Sequence, residues 1–318
     1  MRQSNQVDRM RRAFAETLSE LATSDPRIVL LTADLGFMAL DPFSDAHPDR
    51  FFNVGVAEQN MVGVATGMAE AGFIPFVYSI VNFATLRPFE FIRNGPVAHN
   101  LPVRIVSVGG GLEYGHNGVS HFGLEDIGVM RTQPNLTLVT PCDAKQARAA
   151  IRATWDCPGP MYLRLGKDDR LVVPGLEGRF ALGRADVVHE GDDVLLVASG
   201  TAAIEALNAA HELKLRQIGA TVLAVSSLNP APRADLLAAL AHFKIALTVE
   251  THYITGGLGS LVCEVVSEER LDCRVIRCGV KRHPGGATGS QAYLHGVHGI
   301  SSERLVVAVV NALESPHA

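Results

Sequence analysis

Apolar positions along the chain recur in two periods that alternate with each other. Met10, Phe14, Leu18 and Leu21 fall on one face of a helix over residues 7–24, which Asp25-Pro26 ends. The next stretch, 27–33 (RIVLLTA), is apolar almost throughout. A strand covered on one face alternates, whereas an unbroken apolar run predicts a parallel strand covered on both. The pairing then repeats, with strands expected at 51–54, 74–79, 102–108, 136–140 and 161–165. Helices are expected at 57–71, 83–94, 143–156 and from His121 to 133. Residues 169–192 carry few helical signals and several charges, and read as an extended linker. A second alternation follows, with strands at 193–199, 221–226, 245–250 and 273–278 and helices at 202–218, 233–243, 258–269 and 302–314. The pattern predicts an α/β protein of two domains, 1–168 and 193–318. Each is a mostly parallel sheet with helices on both faces.

Loops at strand ends add candidate chemistry, because ligands in open α/β sheets bind outside the carboxyl ends of the strands. Residues 34–50 form a long loop after the first strand. Residues 109–118 (GGGLEYGHNG) hold five glycines, which means positive φ or a backbone pressed against something; a mobile surface loop is the alternative. Between them, Gly55 makes a tight turn and Glu58 falls in the first turn of the helix that follows, among Val54, Val56, Met61 and Val62. By position alone Glu58 is either a site carboxylate or one that only complements the helix dipole.

Composition narrows the classes. A chain of 318 residues with 47% hydrophobic and 19% charged residues has room for two cores. The net charge of −5 and the lack of a basic block argue against nucleic acid or an anionic membrane as partner. No apolar run reaches membrane-spanning length, and the first 25 residues hold no apolar signal core. Five scattered cysteines without a CxxC fit free thiols in a reducing cytoplasm. There is no Walker loop, and the Gly256, Gly257, Gly259 run lacks the acidic partner of a dinucleotide fingerprint.

Three blocks in register, FFNVGVAEQNMVGVATGMAEAGFIPFVYS (51–79), GHNGVSHFGLEDIGVMRTQPNLTLVTPCD (115–143) and GPMYLRLGK (159–167), resemble the pyrimidine-binding half of the transketolase family. The resemblance implies thiamine diphosphate as cofactor and Glu58 as the glutamate that bonds its pyrimidine N1′. It places Phe83 as the ring stacked on the pyrimidine, with Val56 and Ile80 also against the cofactor. His121 matches a histidine of the substrate channel. Asn117, Lys167 and one of Arg11 and Arg12 fall at substrate positions. On composition alone the arginines and the lysine read as solvated face charges, and Phe83 as core.

Three departures from the family pattern suggest a non-standard sugar: Gly109 in place of a histidine, Asn117 in place of an aspartate, and Lys167 in place of an arginine. Lysine binds a phosphate as a point charge and not bidentately. Gly109 is expected to widen the pocket. The Gly-Asp-Gly…Asn pattern that holds the diphosphate and Mg²⁺ in this family is missing. The resemblance therefore implies a separately encoded C-terminal subunit. Mg²⁺ ligands and diphosphate cradle would lie on a partner chain, the cofactor between the two chains, and the pyrimidine domains would pair about a two-fold axis in a heterotetramer. Alternative expectations are a relative of 1-deoxyxylulose-5-phosphate synthase, of the beta chain of a 2-oxo acid dehydrogenase, or a non-catalytic scaffold of the same fold.

Overall fold

A computed structural model describes residues 9–167 and 171–314. The first unit runs α1 (Met10–Ser24), β1 (Ile28–Thr32), α2 (Asp41–Ser44), β2 (Phe51–Asn53), α3 (Glu58–Glu70) and β3 (Ile74–Ile80). It continues with α4 (Val81–Thr85), α5 (Phe89–Ile92), β4 (Arg104–Val108), α6 (Asp126–Arg131), β5 (Thr137–Val139), α7 (Ala144–Thr154) and β6 (Met161–Leu165). The second unit opens with β7 (Ala185–His189), β8 (Val194–Ala198), α8 (Ala203–Leu215), β9 (Ala220–Val225) and β10 (Ser227–Asn229). It closes with α9 (Arg233–Leu240), β11 (Ile245–Tyr253), α10 (Leu258–Glu268), β12 (Arg274–Val280), α11 (Gln291–His298) and α12 (Ser302–Glu314).

The strands form two sheets, ordered β10-β5-β6-β4-β3-β1-β2 and β12-β11-β8-β9-β7. Every pairing is parallel except at one edge of each sheet, where β10 lies antiparallel to β5 and β7 antiparallel to β9. The expected pair of mostly parallel sheets is what the chain forms. β1, β4, β6 and β8 are buried at every position, as strands covered on both faces are; β1 and β8 are almost wholly apolar, whereas β4 and β6 also bury Arg104, Ser107 and Arg164. Helices cover both faces; α1, for example, lays Phe14 flat on Tyr78 of β3, with ring centroids 5.9 Å apart.

Several expectations change locally. The stretch read as a linker contains β7, an edge strand with no buried position, whose two valines do not stand out among the charges around them. The three-residue β10 leaves the second unit to close the first sheet, a long-range pairing that no local signal marks. The helix expected at 83–94 is broken into α4, α5 and a π turn at Arg93–Val97. Pro88 and Pro96 lack the N–H that would continue an α ladder. His121 does not begin a long helix: it ends a 3-10 turn, Val119–His121, and α6 starts only at Asp126.

A buried polar knot joins the two units behind the glycine-rich exit of β4. The Arg164 guanidinium pairs with Asp126 at 2.8 Å and donates to the carbonyls of Gly123 (2.9 Å) and Thr251 (3.0 Å). Tyr162 donates to the same aspartate at 2.6 Å. Gly111 fits because a Cβ there would come within 2.6 Å of the Thr251 carbonyl oxygen. The loop is thus clamped between the units and is not a mobile surface segment.

Candidate functional site

The site is built where β1, β2, β3 and β4 end. Asn53, the last residue of β2, uses its side-chain oxygen to accept from the N–H of Gly55 and of Asp34, each at 3.0 Å. That holds the turn at Gly55 (φ +73°) against the exit of β1. The turn delivers Glu58 to the first position of α3, where it is 1% exposed. An isolated carboxylate buried this deeply is costly without partners. Two are present: Ser79 of β3 donates to Oε1 at 3.1 Å, and Arg87 donates to Oε2 at 2.5 Å.

Phe83 stands beside this pair on α4. The Arg87 guanidinium lies 4.3 Å from the centre of its ring, and His121 packs against the ring edge-on at 5.3 Å. Asn82 donates to the Ser120 carbonyl at 3.0 Å, which ties α4 to the His121 turn. Beyond His121 lies Tyr114, with ring centroids 6.0 Å apart, and Lys167 Nζ sits 4.3 Å over the Tyr114 ring. Glu113 accepts from the Lys167 N–H at 2.5 Å and from the Thr201 hydroxyl at 3.2 Å. One continuous surface therefore runs Glu58, Arg87, Phe83, His121, Tyr114, Lys167. It offers a buried carboxylate at one end, an ammonium at the other, and three rings between them.

Two family models cover nearly all of the chain: the transketolase pyrimidine binding domain matches residues 8–170 and the transketolase C-terminal domain residues 183–305. The chain belongs to the transketolase family. It is 33% identical over 308 residues to a putative transketolase C-terminal section of Methanocaldococcus jannaschii, covering 96% of each chain. A 6-deoxy-6-sulfo-D-fructose transketolase subunit of a Clostridium species is 35% identical, with 96% of this chain and 94% of that one covered. Among solved structures, a split-gene transketolase described as an inactive beta4 tetramer superposes with a TM-score of 0.86 at 38% identity, covering 96% of this chain and 98% of that one. The transketolase of Campylobacter jejuni shares the fold at TM-score 0.77 and 18% identity, and this chain spans 46% of it.

The transketolase family implies use of thiamine diphosphate. Of the residues singled out from the sequence, the structure brings Glu58, Phe83, His121 and Lys167 onto one surface. Ile80 caps the start of α4 half-buried, and Val56 lies in the turn before Glu58 with 72% of its surface exposed. Asn117 is exposed in the 3-10 turn Gly115–Asn117, outside the line of rings. Arg12 turns to Glu16 at 2.8 Å on the surface of α1, while Arg11 is half-buried. The first turn of that helix meets the rim through Met10, whose sulfur accepts the Gly166 N–H at 3.2 Å.

One expectation is overturned. Gly109 does not widen the pocket, because the Tyr114 ring fills the space: a Cβ on Gly109 would lie 2.1 Å from Tyr114 Cε2. Sequence reasoning also passed over Arg87, Ser79, Glu113 and Thr201. Arg87 had a signal, a lone cation in the apolar run NFATLRPFEF. Thr201 had none, since it reaches the site from the second unit. Among the described residues no three His, Cys, Asp or Glu side chains form a group suited to a metal ion. No helix among them is long and apolar enough to cross a membrane.

Proposed function

We propose that this chain is the pyrimidine-binding subunit of a two-chain, thiamine-diphosphate-dependent transketolase that moves a two-carbon ketol unit from a ketose to an aldose. The observation that carries the reading is Glu58: a carboxylate 1% exposed, at a strand end, beside an aromatic face and held by exchangeable side-chain donors. These residues fit an aminopyrimidine. Glu58 would hold N1′ and share its proton in a dry setting, where the exchange is with the ring and not with water. Phe83 would stack on the ring, with Ile80 and Val56 beside it. When bound, the cofactor supplies the carbanion that accepts and donates the two-carbon unit. His121 stands next to Phe83 and would move protons at the sugar hydroxyls, and Lys167 would meet an anionic tail.

A partner chain bearing the diphosphate and Mg²⁺ site belongs to this reading. Phe37 (88% exposed), Met38 (72%) and Val56 (72%) leave apolar side chains exposed in the loops that follow β1 and β2. Such exposed apolar side chains suit a protein interface. The similar split-gene chain that is inactive as a beta4 tetramer supports the same arrangement, a heterotetramer in the working enzyme. Five unpaired thiols suit a reducing cytoplasm. The sugar is read as non-standard, because Gly109, Asn117 and Lys167 replace side chains usual in the family. Synthases of 1-deoxyxylulose 5-phosphate, such as that of Desulfitobacterium hafniense (33% identical, 95% of this chain), favour a second reading with pyruvate as donor.

Calorimetric titration of thiamine diphosphate into the chain alone, into the candidate partner alone and into the co-expressed pair tests the assignment. Saturable Mg²⁺-dependent binding is expected for the pair, with ketol transfer only there. Tight binding of the whole cofactor by the lone chain would remove the basis for a split site. Efficient turnover of xylulose 5-phosphate with ribose 5-phosphate would remove the non-standard sugar, and turnover of pyruvate would favour the second reading.

A further inference from the structure

We propose that Tyr114 is a specificity-determining residue of the substrate channel, filling in this chain the space that a side chain at position 109 would fill. The inference rests on the ketol-transfer reading and adds to it a residue that shapes the substrate side.

Gly109 directly follows β4, with φ +80°, and donates its N–H to the Leu165 carbonyl at 3.0 Å. A Cβ on it would lie 2.1 Å from Cε2 and 2.4 Å from Cδ2 of Tyr114. A side chain at 109 and the Tyr114 ring therefore exclude each other. The ring also meets His121, at 6.0 Å between centroids, and Lys167, whose Nζ lies 4.3 Å from the ring centre. Three positions that the resemblance places toward the substrate, 109, 121 and 167, meet on this one ring.

The ring is held in place from both sides in sequence. Glu113 binds the Lys167 N–H and Thr201, and Gly115 accepts the Gly289 N–H at 3.2 Å. Tyr114 is half-buried, so part of its side chain stays accessible. An aromatic face suits the C–H side of a carbohydrate chain, and the phenol adds one hydrogen-bonding group. The same face attracts the ammonium above it and fixes where that charge stands. Tyr114 thus narrows the channel where glycine alone would open it, and it positions Lys167 for a phosphate or sulfonate tail. A contact with chain and tail acts equally in ground and transition state, so it governs KM more than kcat.

The test uses the complex of this chain with its partner and thiamine diphosphate, comparing the parent with Tyr114→Phe and Tyr114→Leu. Leucine keeps the wall apolar and filled but removes the π face. Calorimetry measures binding of ribose 5-phosphate, 5-deoxy-5-sulforibose and ribose; steady-state kinetics with hydroxypyruvate as donor give KM and kcat. Leucine is expected to weaken binding of the tailed sugars about fivefold and to raise their KM by the same factor, with kcat changed by less than about twofold. Phenylalanine should fall by less than about threefold for every sugar, and ribose should not distinguish leucine from phenylalanine. The two tailed sugars tell phosphate from sulfonate by which one binds more tightly. Equal behaviour of all three proteins, including no measurable binding by any, overturns the proposal. So does a loss in leucine that is as large for ribose as for the tailed sugars. The expected binding pattern without turnover of any sugar supports Tyr114 and overturns the ketol-transfer reading alone.

Discussion

Two carboxylates are buried at helix starts above the carboxyl ends of the two sheets, and their partners differ in kind. Glu58, 1% exposed, receives a serine hydroxyl and the Arg87 guanidinium, whose side chain is 40% exposed. Glu250, fully buried at the end region of β11, receives the backbone N–H groups of Leu258 and Gly259 at 2.8 and 2.9 Å, at the start of α10. Gly257 must be glycine there, since a Cβ would sit 1.9 Å from Glu250 Oε2. Backbone donors cannot swing away, so Glu250 is a cap that fixes a turn. Side-chain donors can give way to a ligand, which is what the proposed function asks of Ser79 and Arg87 at Glu58. A buried carboxylate at a helix start is not by itself a site; the two differ in whether their partners can exchange.

The largest expected break in this comparison is Glu58→Gln. The neutral amide cannot exchange a proton, and ketol transfer by the assembled complex should fall by about 10²–10⁴-fold while size-exclusion chromatography still shows assembly. Wild-type-like turnover would move Glu58 into the same class as Glu250.

Glu250→Gln should do the reverse. It loses one acceptor for two backbone donors and should cost about 1–3 kcal/mol in denaturant unfolding, with turnover per folded molecule unchanged. The two proteins should also differ in pH dependence. Burial pushes the Glu250 carboxyl up to about 7 in the folded state, against an ordinary value of 4.5. Between these values the folded state binds the extra proton. The contribution of Glu250 is therefore fully present below about pH 4.5 and lost as pH rises through about 7. Glu250→Gln should flatten that slope, read from unfolding midpoints between pH 5 and 8.

Arg87→Met sharpens the comparison further. It strips the exchangeable partner from a buried carboxylate and should lower stability of the cofactor-free chain by about 1–2 kcal/mol, less than for a fully enclosed pair because Arg87 is partly solvated. Arg87 also takes both contacts that the proposed function gives to the pyrimidine, on Glu58 and on Phe83. Thiamine diphosphate should then bind the complex of this variant more tightly, so that stability and affinity move in opposite directions. Weaker binding would instead make Arg87 part of the cofactor cradle. The smallest effect is expected for Arg12→Ala, where an exposed pair with Glu16 is lost: under about 0.5 kcal/mol in thermal unfolding.

Much of this was legible in the residues. The apolar run at 27–33 announces a doubly covered parallel strand, and the Gly55 turn before Glu58 announces a carboxylate at a strand end. The five glycines after β4 announce close approach, and Tyr114, Arg164 and Thr251 supply it. The failures share a cause. Strand β10, Thr201 and the Gly109–Tyr114 exchange depend on residues distant in sequence or on how far a ring reaches, and neither hydrophobic period nor motif encodes that. The broken helix after β3 is different: Pro88 and Pro96 were in plain view.

By itself the sequence determined two α/β units, their strand-end loops, and a glutamate in the first turn of a helix at a strand end, because period and turn residues are local properties. Only the tertiary structure decided which side chains meet. It set Arg87 on Glu58, closed the first sheet with a strand from the second unit, and filled the space beside Gly109 with Tyr114. Packing and charge pairing act across the fold, between residues that the chain keeps far apart.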